Sequence, residues 1–459
     1  MSQLFGNLLD ESKELNDAIE KVVNLASGFG KSIQKIKPGE SSQLESGKKQ
    51  VEELAENRGR PLFFPFIGSG VGNGCYVESV DGAIKLDLIN GIGINIMGHS
   101  HPEVMKAAVK GAIKDVVMQG NLQPGGEMLQ LSRKLVEIAS RKSRLKHSWL
   151  TTSGSMANEN ALKMCRQKMN AARKIIAMDA AFAGRTTLMA EITDNATMRV
   201  GLPEYGEVLR VPFFDATNPN SIEISRKILE QHINGHKGDI CAFMFEPMQG
   251  EGGYKAAPRE FFIPLFELCR QHKIPIWADE IQTFCRTGEF FAYEKLNLGE
   301  YIDICTVAKT LQGAATLYTE ELNPQPGLIA GTFSGSSAAM SAGLSILNIL
   351  DENKYMGPNG RIEEIHTKFV GMLNELNKGS CKGLLQDAGG LGLMVGVTPL
   401  DGTRESMIKI VNKLYENGLI CFGCGRGPYR IRFLIPAVIK DADIDVIKSI
   451  LEKSILELV

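Results

Sequence analysis

The chain of 459 residues predicts an α/β fold, a mainly parallel sheet flanked by helices, with a smaller α+β part after it. Three observations carry this expectation. Short apolar runs of strand length recur through the middle of the chain, separated by amphipathic or polar segments, which is the rhythm of βαβ units. An Asp81-Gly82 pair joins two strand-like runs just before that region, the strongest short-range hairpin signal. After about residue 340 the pattern changes to longer helical stretches and then to further strand-like runs.

In chain order, Leu4 to about Leu25 places apolar residues near helical spacing among charges and reads as an amphipathic helix. Residues 28–50 are rich in Gly, Ser and Lys and read as an extended arm before a short helix at 50–57. Residues 1–73 are thus expected to form an N-terminal helical segment, 74–340 a large α/β domain and 341–459 a small α+β domain. CYVESVDGAIKLDLI supplies the hairpin. HSWLTT, KIIAMD, ICAFMFEP, KIPIWADE and IDICTVAK follow as strands of the main sheet. SAGLSILNILDEN and RIEEIHTKFVGMLNELN are helical, LGLMVGV and YRIRFLIP strand-like, and a last helix ends the chain.

Composition excludes several function classes. With 51 Lys plus Arg against 53 Asp plus Glu, a net charge of −2 gives no electrostatic reason to bind nucleic acid or an anionic membrane. No run approaches the roughly 20 apolar residues that cross a bilayer. The start, MSQLFGNLLDESKELNDAIEK, lacks the basic and apolar regions of a secretory signal. The nine cysteines are odd in number and scattered through mostly apolar stretches, as buried reduced thiols would be. A cytoplasmic protein with a small-molecule ligand is expected. Cys421 and Cys424 form a CxxC without a second pair at zinc spacing. His99 and His101 lack acidic or Cys neighbours and fit a turn or helix start, so no metal is expected.

In an open α/β sheet, ligands sit beyond the carboxyl ends of the strands. SWLTTSGSMANENALK delivers Ser153-Gly154-Ser155 to a helix start, where free N–H groups and hydroxyls suit a phosphate or simply cap the helix. IPIWADEIQ delivers Asp279 and Glu280, which point to opposite faces, so one of them can meet a ligand. Lys309 ends the run IDICTVAK, thirty residues after Asp279, about one βαβ unit, so the two can end on neighbouring strands. A desolvated lysine among other cations has the lowered pKa that covalent chemistry requires. A phosphate cradle, a carboxylate and an amine at one sheet edge are the three groups that pyridoxal 5'-phosphate needs.

These residues resemble the class III aminotransferases, the fold-type-I pyridoxal-phosphate group that includes 4-aminobutyrate, ornithine and acetylornithine aminotransferases. The likeness covers about residue 58 to the end of the chain. It rests on Gly98-His99-Ser100-His101-Pro102, Ser153 to Glu159, Phe182-Ala183-Gly184-Arg185-Thr186, Glu246-Pro247-Met248-Gln249-Gly250-Glu251, Asp279-Glu280-Ile281-Gln282, Ala308-Lys309, Gly331-Thr332-Phe333 and Arg432-Phe433. The resemblance implies a seven-stranded-type sheet and a homodimer with shared active sites. It assigns Ser153, Gly154 and Ser155 to the cofactor phosphate, with Thr332 reaching it from the other subunit. Phe182 and Ile281 would cover the two ring faces, Asp279 would pair with the ring nitrogen, and Gln282 would contact the ring hydroxyl. Lys309 would hold the cofactor as a Schiff base and shuttle the proton. Arg185 and Arg432 would clamp substrate carboxylates, with Glu251 hiding Arg432 from one substrate and releasing it for the other. The implied reaction is ping-pong amino transfer from an ω-amino acid or diamine-type donor to 2-oxoglutarate as the 2-oxo acid acceptor. Two alternatives are an aminomutase or amino-acid racemase of the same fold, which Ala330-Gly331-Thr332-Phe333-Ser334-Gly335 resembles somewhat, and a noncatalytic binding protein. Ala183 stands where the family usually has a bulkier residue, implying extra space near the substrate.

Overall fold

The computed structural model describes residues 4–352 and 354–459. Residues 1–3 of the expected N-terminal segment, and Asn353 at the end of an expected helix, lie outside the described residues. Seven strands build the main sheet: β1 (His147–Thr151), β2 (Lys174–Met178), β3 (Val208–Val211), β4 (Ile240–Phe245), β5 (Ile276–Asp279), β6 (Ile304–Val307) and β7 (Ala314–Tyr318). Their spatial order is β1-β7-β6-β5-β4-β2-β3. The neighbours from β6 to β3 pair in parallel, whereas β7 runs antiparallel to both β6 and β1. Every residue of β4 is buried, which is why the central strands read as unbroken apolar runs rather than alternating ones. All five runs read from the sequence lie in this sheet; β3 and β7 are additional.

The N-terminal stretch forms two helices, Phe5–Glu11 and Lys13–Gly30. Between them Ser12 caps the second, its hydroxyl accepting from Leu15 N at 3.3 Å. The expected loose arm is more ordered than its composition implies, for a helix spans Leu44–Arg58 rather than 50–57. Ion pairs of Lys49 with Glu45 and of Lys48 with Glu52, each four residues apart, favour helix there, and Gly59 at φ 71° ends it.

The Asp81-Gly82 turn joins Tyr76–Ser79 to Ile84–Asp87 as an antiparallel hairpin. Gly82 sits at φ 79°, and the Asp81 carboxylate accepts Ala83 N at 3.0 Å. Gly68–Asn73 pairs with the first hairpin strand, so sheet structure begins within the segment expected to be helical. Leu419–Ile420, from near the other end of the chain, pairs in parallel with the second. Leu385–Leu391, Met394–Pro399, Arg430–Leu434 and Phe422–Cys424 form a separate antiparallel sheet in that order, and two short pairs, Met118–Gln119 with Gly335–Ser336 and Met248–Gln249 with Lys255–Ala256, complete the strands among the described residues. Helices Arg361–Lys378, Arg404–Glu416 and Asp441–Leu456 accompany it. One apolar cluster runs from Leu86 through Phe243 and Phe266 to Phe369 and Phe433. Among the described residues no helix is long and apolar enough to cross a membrane.

Candidate active site

Asp279 is the last residue of β5 and pairs with Thr306 of parallel β6, three residues before Lys309. Both side chains therefore emerge at one edge of the sheet. β1 has the same direction as β6, since each is antiparallel to β7, and so it delivers Ser153, Gly154 and Ser155 to that edge too. These five residues line one cavity of about 370 Å³, together with Phe182, Ile281, Gln282 and Glu251. That volume suits a small organic ligand.

Asp279 is buried. Its Oδ1 accepts Ile281 N at 2.9 Å and its Oδ2 accepts Asn158 Nδ2 at 2.8 Å. Burial pushes its pKa up to about 6, against those two hydrogen bonds and the nearby Lys309. Glu280 turns to the other face, as strand alternation demands. There it accepts from Ala292 N at 3.0 Å, Tyr293 N at 2.9 Å and the Thr283 hydroxyl, and burial raises it to about 7.

Lys309 adopts φ 55°, a left-handed backbone that costs a non-glycine residue energy and is common at functional sites. Burial lowers its pKa to about 8, and the Arg286 charge adds to this, while Asp279 and Glu251 oppose it. A substantial share of its amine is therefore neutral near pH 8, the form able to attack a carbonyl.

The helix Gly154–Lys168 opens at the cavity, with Ser153 as its N-cap accepting Met156 N at 3.3 Å. Glycine at 154 leaves room for Ile281, whose Cδ1 would lie 2.9 Å from a Cβ there. The helix start, two hydroxyls and the absent side chain make a concave site for an anion.

Two lining or supporting residues received no role from the sequence. Asn158 bridges Asp279 to the Ala183 carbonyl, to which its Nδ2 donates at 2.7 Å. Glu246 lines the cavity, accepting Phe182 N at 3.1 Å and Gly250 N at 3.0 Å. Burial and the neighbouring Asp279 push Glu246 up to about 8. Its position one residue past the apolar run of β4 is the same signal that marks Asp279.

Arg432, Arg185 and Thr332 do not line this cavity. Arg432 is 1% exposed and its Nη1 donates to Glu251 Oε1 at 2.5 Å. Burial disfavours its charge, but Glu251 together with Tyr254 and Cys424 outweighs this and holds it above the ordinary arginine value. Arg185 is exposed, its guanidinium 5.8 Å from the Phe182 ring centroid. Thr332 is also exposed. His99 bonds Asp87 Oδ2 at 2.9 Å, and His101 precedes the helix Pro102–Ala112 as its N-cap residue. Cys421 and Cys424 are buried free thiols. Among the described residues no group of three or more His, Cys, Asp or Glu could hold a metal ion.

Comparison with known proteins gives this geometry a family. Residues 62–455 match the profile described as Aminotransferase class-III. The chain belongs to the class III aminotransferases. It is 31% identical to 5-aminovalerate aminotransferase of Pseudomonas putida, over 83% of this chain and 92% of that protein. It is likewise 31% identical to acetylornithine aminotransferase of Aquifex aeolicus, over 83% of this chain and 95% of that one. Among solved structures, a Bacillus anthracis aminotransferase superposes with TM-score 0.78 at 24% identity, covering 89% of this chain and 99% of that chain. The ornithine aminotransferase of Toxoplasma gondii gives TM-score 0.75 at 22% identity, covering 92% and 98%. These two likenesses speak for the fold.

Class III aminotransferases depend on pyridoxal 5'-phosphate, and the residues of this chain fit that group. The Gln282 Oε1 is buried without a hydrogen-bond partner beside the buried Asp279 carboxylate, and buried polar atoms without partners are uncommon in a finished site. The cradle at Gly154 and the partly neutral amine of Lys309 supply the other two requirements.

Proposed function

We propose that this class III aminotransferase moves an amino group from an ω-amino acid or diamine-type donor to 2-oxoglutarate in two half-reactions, as a cytoplasmic homodimer with shared active sites. When bound, pyridoxal phosphate supplies an electron sink for the carbon that gives up its proton. Ser153, Gly154 and Ser155 would hold its phosphate, joined by Thr332 of the second copy. Phe182 and Ile281 would cover the ring, Gln282 would contact its hydroxyl, and the Asp279 carboxylate would keep its nitrogen protonated. The Lys309 Nζ would hold the cofactor aldehyde, and the same amine is placed to take a proton from the donor carbon and return it, which is general acid–base catalysis.

Arg185 and Arg432 bind substrate carboxylates, and Glu251 decides when Arg432 is available. The 2.5 Å pair between Glu251 and the buried Arg432 is the observation that carries the donor class. While it stands, the charge meant for a carboxylate beside the reacting carbon is covered, so a donor with no carboxylate there is preferred. 2-Oxoglutarate, bringing that carboxylate, competes with Glu251 for Arg432, whose guanidinium fork suits bidentate binding. Nine buried, unbridged cysteines support a reducing compartment. Leu122, 94% exposed, and Phe333, 61% exposed, flank segments tied together by the pairing of Gly335 with Gln119. Such an exposed apolar patch supports coverage by a second copy.

The test is a panel of amino donors with 2-oxoglutarate, read as glutamate formed. ω-Amino acids or diamines are expected to lead. Glutamate from α-amino acids alone would refute the donor class, and an isomerised donor formed without any acceptor would refute amino transfer.

A further inference from the structure

A second cavity, of about 150 Å³, adjoins the one around Lys309 and shares Phe182 and Glu251 with it. Its other walls include Met198, Met407 and Tyr429, with Asp194 and Arg426 among them. Arg426 is 45% exposed at its side chain and donates from Nη1 to Asp194 Oδ2 at 2.9 Å. Among the described residues that is the one hydrogen bond its guanidinium makes, so the rest of the fork is free for an acceptor. The same Asp194 oxygen accepts Ala180 N at 2.7 Å, which anchors the pair to the loop carrying Phe182. Arg185 lines neither cavity.

We infer that this second cavity is a subsite for the far end of the amino donor, where Arg426 binds a carboxylate carried several methylenes away from the reacting amine. The inference rests on the amino transfer proposed above. With Arg432 covered by Glu251, a donor carboxylate entering this half-buried space needs another cation, because an unpaired buried charge is costly. Arg426 is the arginine among the cavity's lining residues. A water occupies about 30 Å³ of liquid volume, so the cavity admits a chain of about five heavy atoms. Two methionines give its walls the adaptability that an aliphatic spacer of variable length requires. The donor thus spans both cavities, its amine at Lys309 and its chain passing Phe182 and Glu251.

Arg426→Ala and Arg426→Lys, loaded with pyridoxal phosphate, test this with 6-aminohexanoate and hexylamine as paired donors. Arg426→Ala is expected to lose about ten- to a hundredfold in kcat/KM for 6-aminohexanoate, mostly through KM, as removal of a charge-assisted hydrogen bond predicts. Turnover of hexylamine and the KM for 2-oxoglutarate should stay unchanged, and Arg426→Lys should recover part of the loss. Hexanoate, which lacks the amine, should bind the loaded wild-type protein in calorimetry and bind Arg426→Ala correspondingly more weakly. Equal losses for both donors, a shift in the 2-oxoglutarate KM instead, or unchanged hexanoate binding would overturn the subsite. If wild-type protein made no glutamate from any donor, amino transfer itself would fall, while the hexanoate measurement would still decide the role of Arg426.

Discussion

At the scale of single residues, Lys309 and Asp279 are held in opposite tension by the same cause. Burial lowers the amine to about 8 and raises the carboxylate to about 6, so both titrate near neutral pH. The neutral amine is the attacking form, and its fraction grows with pH. The rate at which apoprotein takes up pyridoxal phosphate, followed by absorbance, should therefore climb and level off above about pH 8; a midpoint near the ordinary lysine value would contradict this. Lys309→Ala should abolish covalent attachment, read by mass spectrometry after borohydride reduction, and lower kcat by at least about 10³-fold. Glu251→Gln leaves the Arg432 charge uncovered. Its kcat/KM should fall about tenfold for ω-amino donors lacking a carboxylate beside the amine, and rise for glutamate as donor. Lys309, Asp279 and Gly154 were legible in sequence because each follows an apolar run. Asn158 was not, since a polar residue inside a helical pattern looks the same facing solvent or facing a buried carboxylate.

At the scale of elements, the helix Gly154–Lys168 acts on the end of β5 through the hydrogen bond from Asn158 to Asp279. Asn158→Ala removes a donor to a buried carboxylate, which is worth about 1.5–3 kcal/mol. The dissociation constant for pyridoxal phosphate, measured by absorbance titration, should rise about ten- to a hundredfold, while the helix itself, capped by Ser153, stays folded. Most of the strands that sequence revealed carry an unbroken apolar run, as in Ile240–Phe245. Val208–Val211 is four residues long and interrupted by Arg210, while Ala314–Tyr318 opens on two alanines, so neither presents a long apolar run or a clear period. Both are specified by their neighbours in the sheet, which local pattern does not record. The longer helix at Leu44–Arg58 shows the converse, ion pairs along one face outweighing a composition that reads as linker.

At the scale of the whole molecule, the exposed apolar edge at Leu122 and Phe333, beside the exposed Thr332, is where the proposed second copy would pack. Leu122→Asp combined with Phe333→Asp should convert dimer to monomer in sedimentation velocity and, by separating Thr332 from its target, remove most activity. The fold class and the main sheet were visible in the sequence, because period and run length report burial. The arrangement of distant segments was not, and the hairpin illustrates it. Leu86 N donates to Gly418 O and Leu88 N to Ile420 O, each at 2.8 Å, across more than three hundred residues of chain. During synthesis that hairpin leaves the ribosome long before its acceptors do, so its outer edge must stay unsatisfied, or be shielded by a chaperone, until nearly all of the polypeptide has emerged.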